Sequence, residues 1–426
     1  MHARASHALD DIGSSDAHYE AKAVALLALG FGMVGLDRFI INPLFPAMQK
    51  DLGLNYQELG LISAVLALGW GIASIFSGRL SDRLGRKRVL VPAIGAFSLL
   101  VATSGLATGL MSLLLIRGLM GLAEGAYVPA SIVATIDASK PSRIGLNIGL
   151  QQMASPLVGS FLGPLIAIGL LRVLPSWHWV FAVVSVPGLV VACLLARVLR
   201  ERQPAAPVRA QVHAEPPASW RDVLSQRAVL VNTASMCCFL TSLLVLAAFM
   251  PNYLVDHLKL DLGTMSIVLS AFGAGGCLGM VLVPALSDRL GCKPVMIGAM
   301  VLALAALWVL PSIGGAQSAT LCVLLFVAAF MNTGVLAINV GPLTHGSVPA
   351  RCVTTATGVV VGIGEVFGGA VAPAMAGAVA QRFGIAAVPW IAVGAMSLAC
   401  VIVLLAVREP TRATAANPAD AGMPAA

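Results

Sequence analysis

Apolar runs of about 20 residues recur along nearly the whole chain, separated by short polar breaks. They fall at about 22–46, 57–79, 88–107, 110–135, 144–171 and 178–197, and again at about 228–252, 263–286, 294–313, 318–342, 354–380 and 385–407. Each run is long enough to cross the hydrocarbon of a bilayer, where backbone polar groups find no water and must bond within the segment. The pattern therefore predicts an all-α polytopic membrane protein, with twelve transmembrane helices in two six-helix bundles. The longest break, 198–227, is rich in Pro, Ala, Arg and Gln, a composition suited to a linker. The expected layout is an N-terminal tail (1–21), a first bundle (22–197), the linker (198–227), a second bundle (228–407) and a C-terminal tail (408–426).

Composition agrees with a chain in lipid. Hydrophobic residues make up 58% and charged residues 11%, with a mean hydropathy of +0.91, whereas soluble domains carry about a quarter charged residues. The formal charge of +7 comes from where Lys and Arg sit rather than from a nucleic-acid surface. Twenty of them fall in the tails and in the loops on the side of the termini; only Lys50, Arg172, Lys259 and Arg382 fall on the other side. Positively charged loops stay in the cytoplasm, so both termini are expected there. Trp177, Trp308 and Trp390 fall at expected outer ends and Trp220 near an inner end, as an aromatic belt requires.

The first run contains Asp37 and Arg38 and is long, unlike the short apolar core of a signal peptide, so it is expected to remain as a helix. None of the eight cysteines falls in an expected outer loop, and no metal spacing appears, so neither a disulfide framework nor a metal site is expected. All seven histidines lie in loops or tails. With no intramembrane Ser-His pair or acid cluster, a membrane-embedded enzyme is the weaker reading.

The chain repeats itself. Leu80-Ser81-Asp82-Arg83-Leu84-Gly85 recurs as Leu286-Ser287-Asp288-Arg289-Leu290-Gly291, after the second helix of each half, with a lysine two residues further on (Lys87, Lys293). Such a repeat implies two homologous halves in parallel topology, with a site at their interface near the midplane.

Gly78-Arg79-Leu80-Ser81-Asp82-Arg83-Leu84-Gly85-Arg86-Lys87-Arg88 resembles the loop 2–3 signature of the major facilitator superfamily. The resemblance extends over essentially the whole membrane part and implies that family's fold. It also implies a cytoplasmic latch at Gly78, Asp82, Arg83, Gly85 and Arg86, with a second copy at Asp288, Arg289 and Gly291. Pro284 stands where the first copy has Gly78, so the second latch is expected to be weaker. Asp37-Arg38 in the first helix, with Arg117-Gly118-x-x-Gly121-x-x-Glu124-Gly125 in the fourth, resembles the anion:cation symporter branch, which includes sugar-acid symporters. Spinster-type lipid transporters share a similar Asp-Arg pair.

Five charges remain inside the spans: Asp37, Arg38, Arg117, Glu124 and Glu365. Each costs at least about 2.5 kcal/mol at the bilayer centre unless it faces a cavity or a partner. Arg117 and Glu124 are seven residues apart, hence on one helix face, with Tyr127 three further along. Asp37 and Arg38 point about 100° apart, so they are split between sites: Asp37 toward the fourth helix, Arg38 toward a central cavity with Asn42 one turn on. Structural ion pairs are the competing reading for both sets. The resemblance implies proton coupling at Asp37 and Glu124, and contact between Arg38 and a substrate carboxylate. Burial favours a protonated acid and a neighbouring arginine an ionised one. An anion that occupies the arginine therefore draws a proton to the acid.

Glu365, in Gly362-Ile363-Gly364-Glu365, departs from the uncharged residue expected of a sugar-acid symporter. It is open as a third proton site, as a partner for a substrate cation, or as a bond to the tenth helix, where Asn332 and Asn339 share a face. Gln152, marginally ahead of Gln151, and Trp70 complete the expected substrate contacts with Arg38, Arg117, Asn42, Tyr127, Asn332 and Asn339. Gly159-x-x-x-Gly163-Pro164 resembles a signature first noticed in antiporters, but close helix packing also explains it. The expected function is proton-coupled uptake of a small organic anion, such as a sugar acid, by a monomer. Protons are the coupling ion and no cofactor or nucleic acid is involved. A proton-coupled exporter of drugs or lipids is the alternative.

Overall fold

This computed structural model describes residues 2–200, 220–349 and 352–407, apart from the side chains of residues 2–17, 78, 79, 82, 220, 221 and 354. Most of the expected linker, the C-terminal tail, and the side chains of Gly78 and Asp82 lie outside the described residues.

Among the described residues, twelve helices are long and apolar enough to span a membrane: α1 (His18–Leu52), α2 (Tyr56–Ser77), α3 (Arg86–Ser104), α4 (Leu110–Ala138), α5 (Pro141–Val173), α6 (Trp177–Val198), α7 (Arg227–His257), α8 (Leu262–Leu290), α9 (Cys292–Ser312), α10 (Ser318–Ser347), α11 (Thr355–Phe383) and α12 (Ile385–Ala406). The helix containing α1 begins earlier, at His2, and the one containing α2 runs on to Leu84. Short caps set several starts. Asn55 accepts from the Glu58 amide at 3.0 Å while Glu58 accepts from the Asn55 amide at 2.8 Å, a reciprocal box ahead of α2. Asp261 does the same work for α8, and its bonds from Thr264 hold its carboxyl below the usual carboxylate range.

The repeat is visible in the backbone. Gly85 and Gly291 adopt φ of 97° and 95°, and each donates its amide to the serine of its own repeat, Ser81 or Ser287. This reverses the chain within one residue between α2 and α3, and again between α8 and α9. A side chain is strained in that backbone region, which explains the repeated glycine. The packing repeats as well, with α2 lying along α4 and α8 along α10. Between α2 and α4 the approach is backbone to backbone: a side chain at Gly121 or Gly125 would strike the carbonyl of Leu66 or Trp70. Those glycines flank Glu124, so the motif that carries the charges also seats them against α2.

The halves meet where α2 packs on α11, α5 on α8 and α1 on α7, an arrangement that maps onto itself when the halves exchange. The fifth helix of each half, α5 and α11, carries a π-helical turn at this interface, at Pro156–Leu162 and Val366–Val371. Such turns occur often at functional positions. The Gly159-to-Pro164 signature begins within the first turn, and Glu365 immediately precedes the second.

Candidate functional site

Three helices, α1, α4 and α11, bring the intramembrane charges together. Arg38 of α1 donates from Nη2 to Glu365 Oε2 of α11 at 3.0 Å. The two residues are 327 positions apart in the chain, and the bond crosses from one half to the other. Both side chains are 17% exposed, so the pair is not sealed in dry packing, and Arg38 lines the pocket between the halves. The guanidinium lies 5.7 Å from the ring centre of Phe39 and 5.9 Å from that of Trp70, within cation–π range. This partner for Glu365 is none of those the spacing suggested, because pairing between halves leaves no periodic trace in the chain.

Behind this pair lies a fully buried group. Arg117 donates from Nη1 to the backbone oxygen of Asp37 at 3.1 Å, while its Nε and Nη2 have no hydrogen-bond partner. Glu124 is completely buried and neither carboxyl oxygen is hydrogen-bonded. Asp37 is 2% exposed and lies within electrostatic reach of both Arg117 and Glu124. Three acids and two guanidiniums thus occupy one region, and buried groups so incompletely bonded are costly unless they serve a ligand or a proton.

A pocket between the halves, about 40 Å³ in volume, is lined by Arg38, Arg117 and Asn42 on the charged side. Asn42 donates across the halves to the Ala247 oxygen at 3.0 Å. The rest of the wall is mostly apolar, from Phe39 and Leu66 in the first half to Leu244 and Pro373 in the second. Sequence reading missed these positions, since an apolar residue in a span gives no sign of facing a chamber.

Other expected contacts lie elsewhere. Tyr127 is buried in the first bundle, donating to the Leu27 oxygen at 3.3 Å and meeting Phe97 edge-on at 5.9 Å. Asn332 and Asn339 bond the backbone oxygens of Phe239 and Asn232, at 3.3 Å and 3.0 Å, within the α10–α7 seam. Gln151 is locked to Thr135 and Ser131 of α4 at 2.9 Å and 2.7 Å; Gln152 is half-buried with an unbonded carbonyl oxygen. Of the latch residues, Arg86 pairs with Asp137 at the end of α4 at 3.1 Å, and Arg83, Asp288 and Arg289 are exposed.

Two polar groupings escaped the sequence reading. At the end opposite the termini, Asp256 of α7 accepts from the Tyr56 hydroxyl and from Asn252, both at 2.9 Å, and Asn252 also donates to Gln49 at 2.9 Å. The Tyr56 amide donates to Gln381 of α11 at 3.3 Å. These bonds join the halves at that end. At the other end Glu20, buried, accepts from Asn147 at 2.8 Å and from the Lys140 amide at 3.2 Å. Hydropathy had assigned Glu20 to the tail, and the structure carries the first span back over it.

Two six-helix halves closed around a charged pocket define the architecture of a multi-pass membrane protein. The chain belongs to the Major Facilitator Superfamily, whose sequence model matches residues 27–364 and again 233–424. It is 29% identical over 238 residues to a hexuronate transporter of Bacillus subtilis, covering 55% of this chain and 56% of that protein, so the match spans little more than half the relative's length. It is 27% identical over 343 residues to the 3-(3-hydroxy-phenyl)propionate transporter of Escherichia coli, covering 78% of this chain and 80% of that one. In fold it resembles an inward-facing, unoccupied bacterial homologue of the human lysosomal transporter Spinster, with a TM-score of 0.74, 16% identity, and coverage of 91% of this chain and 95% of that one.

Proposed function

We propose that the protein carries a small organic anion inward across a bacterial inner membrane in company with protons, its termini in the cytoplasm. The observation that carries this reading is the ion pair between Arg38 and Glu365, which links the two halves across the chamber. A substrate carboxylate has the same chemistry as Glu365. An anion that takes Arg38 leaves Glu365 without its counter-ion and beside a negative charge, where it takes up a proton. Substrate binding, proton binding and release of the link between the halves then become one event, which is what coupled alternating access requires. Two named relatives carry carboxylates, which supports the anion.

The charge count supports more than one proton in the site. With Asp37, Glu124 and Glu365 facing Arg38 and Arg117, one resident proton makes the group neutral, and each monoanion then needs one further proton. Asp37 and Glu124 hold the resident proton in this scheme, and Arg38 with Arg117 faces the anion. The loops at Gly85 and Gly291, with Arg86 on Asp137, serve as the cytoplasmic latch.

The test is uptake into proteoliposomes of poorly permeant sugar acids and hydroxylated aromatic acids, scored against protein-free liposomes. An acid-outside gradient should drive accumulation that a protonophore abolishes. Accumulation indifferent to the gradient would remove proton coupling, and gradient-driven expulsion of a cationic dye would favour the exporter.

A further inference from the structure

The walls of the central pocket say what kind of anion fits. Apart from Arg38 and Arg117, only Asn42 and Ser63 among the described residues bring polar side chains to its lining, and the Asn42 amide nitrogen is already engaged by Ala247. Phe39, Leu66, Leu244 and Pro373 supply much of the rest, and Trp70, outside the lining, lies 5.9 Å from the Arg38 guanidinium. Arg117, 1% exposed, reaches the same pocket with Nε and Nη2 unbonded. The site therefore has strong anion donors at one pole and little to satisfy hydroxyl groups elsewhere. A polyhydroxylated acid would leave several hydroxyls without partners once water is excluded, and each polar group buried without a partner weakens binding.

We propose that the pocket takes a monocarboxylate with a flat, apolar body, as in a benzoate-type acid, and disfavours polyhydroxylated sugar acids. This rests on the organic-anion reading above and narrows it. The carboxylate lies between Arg38 and Arg117, and the ring packs against Phe39, Leu66 and Leu244. The pocket has room for little more than one or two waters at about 40 Å³. The ligand enters as Arg38 and Glu365 part, and a thin ring needs less opening than a hydrated sugar acid. A second carboxylate on the ligand would find no third cation among the residues that line the pocket.

Equilibrium binding to the purified full-length protein in nanodiscs tests this without interference from passive leakage of weak acids. Benzoate and cyclohexanecarboxylate are compared with gluconate and glucuronate at fixed pH. The expected result is a Kd lower by about tenfold or more for the two apolar acids, quenching of tryptophan fluorescence by benzoate that Trp70→Phe removes, and loss of binding in Arg38→Ala. Leu244→Gln, adding a polar group to the wall, should narrow the gap. Equal or tighter binding of gluconate or glucuronate overturns the apolar-body inference and leaves the anion reading standing. Binding of no carboxylate, by protein whose melting transition shows it folded, overturns both.

Discussion

At the scale of single residues, the buried polar side chains divide into those aimed at the chamber and those that hold helices together. Tyr127 is of the second kind: its hydroxyl bonds a backbone oxygen of α1 in dry packing. Tyr127→Phe should therefore lower the unfolding free energy by about 1 kcal/mol, the worth of one hydrogen bond, and leave the transport KM unchanged. Thermal unfolding and uptake kinetics on the same preparation would check this, and a raised KM would return the residue to the site. Glu365→Gln should behave differently, retaining counterflow while losing gradient-driven accumulation, because the group that titrates when the anion binds is removed. The charges were legible in the sequence because lipid makes each one expensive. Which neighbour each would meet was not. Helical spacing put Asn332 and Asn339 on one face, but only the fold turns that face to α7 rather than to the chamber.

Among the elements, the repeated turn and the seam between halves make separate claims. Gly85 and Gly291 occupy backbone that other residues enter only under strain, so Gly85→Ala or Gly291→Ala should each cost about 1–3 kcal/mol, read as a lowered melting temperature. The repeated hexapeptide had announced this equivalence, because identical sequence at the same topological place demands the same turn. The seam gave no such notice. Tyr56, Asn252 and Asp256 are ordinary polar residues at helix ends, and nothing in their spacing says that they meet. Removing the acceptor with Asp256→Ala should weaken closure at that end by about 1 kcal/mol, raising the population open there about fivefold. In a background without the native cysteines, Ser63→Cys in the pocket wall should then react correspondingly faster with a membrane-impermeant maleimide added outside intact cells. An unchanged rate would mean that these bonds do not keep the halves together.

On the scale of the whole molecule, the twelve spans and their division into halves followed from hydropathy and the repeat, since a bilayer permits few other solutions to such a pattern. The contact that makes the halves one device, Arg38 with Glu365, depends on how two bundles face each other, and no local pattern encodes that. The account turns on this contact being exchanged when an anion arrives. The direct measurement is proton exchange on binding, followed with a pH indicator in weakly buffered solution as an anionic substrate is added to the purified protein. The account predicts uptake of about one proton per anion bound, and none in Glu365→Gln even where that variant still binds. Binding without proton uptake in the native protein, or undiminished uptake in Glu365→Gln, would contradict it.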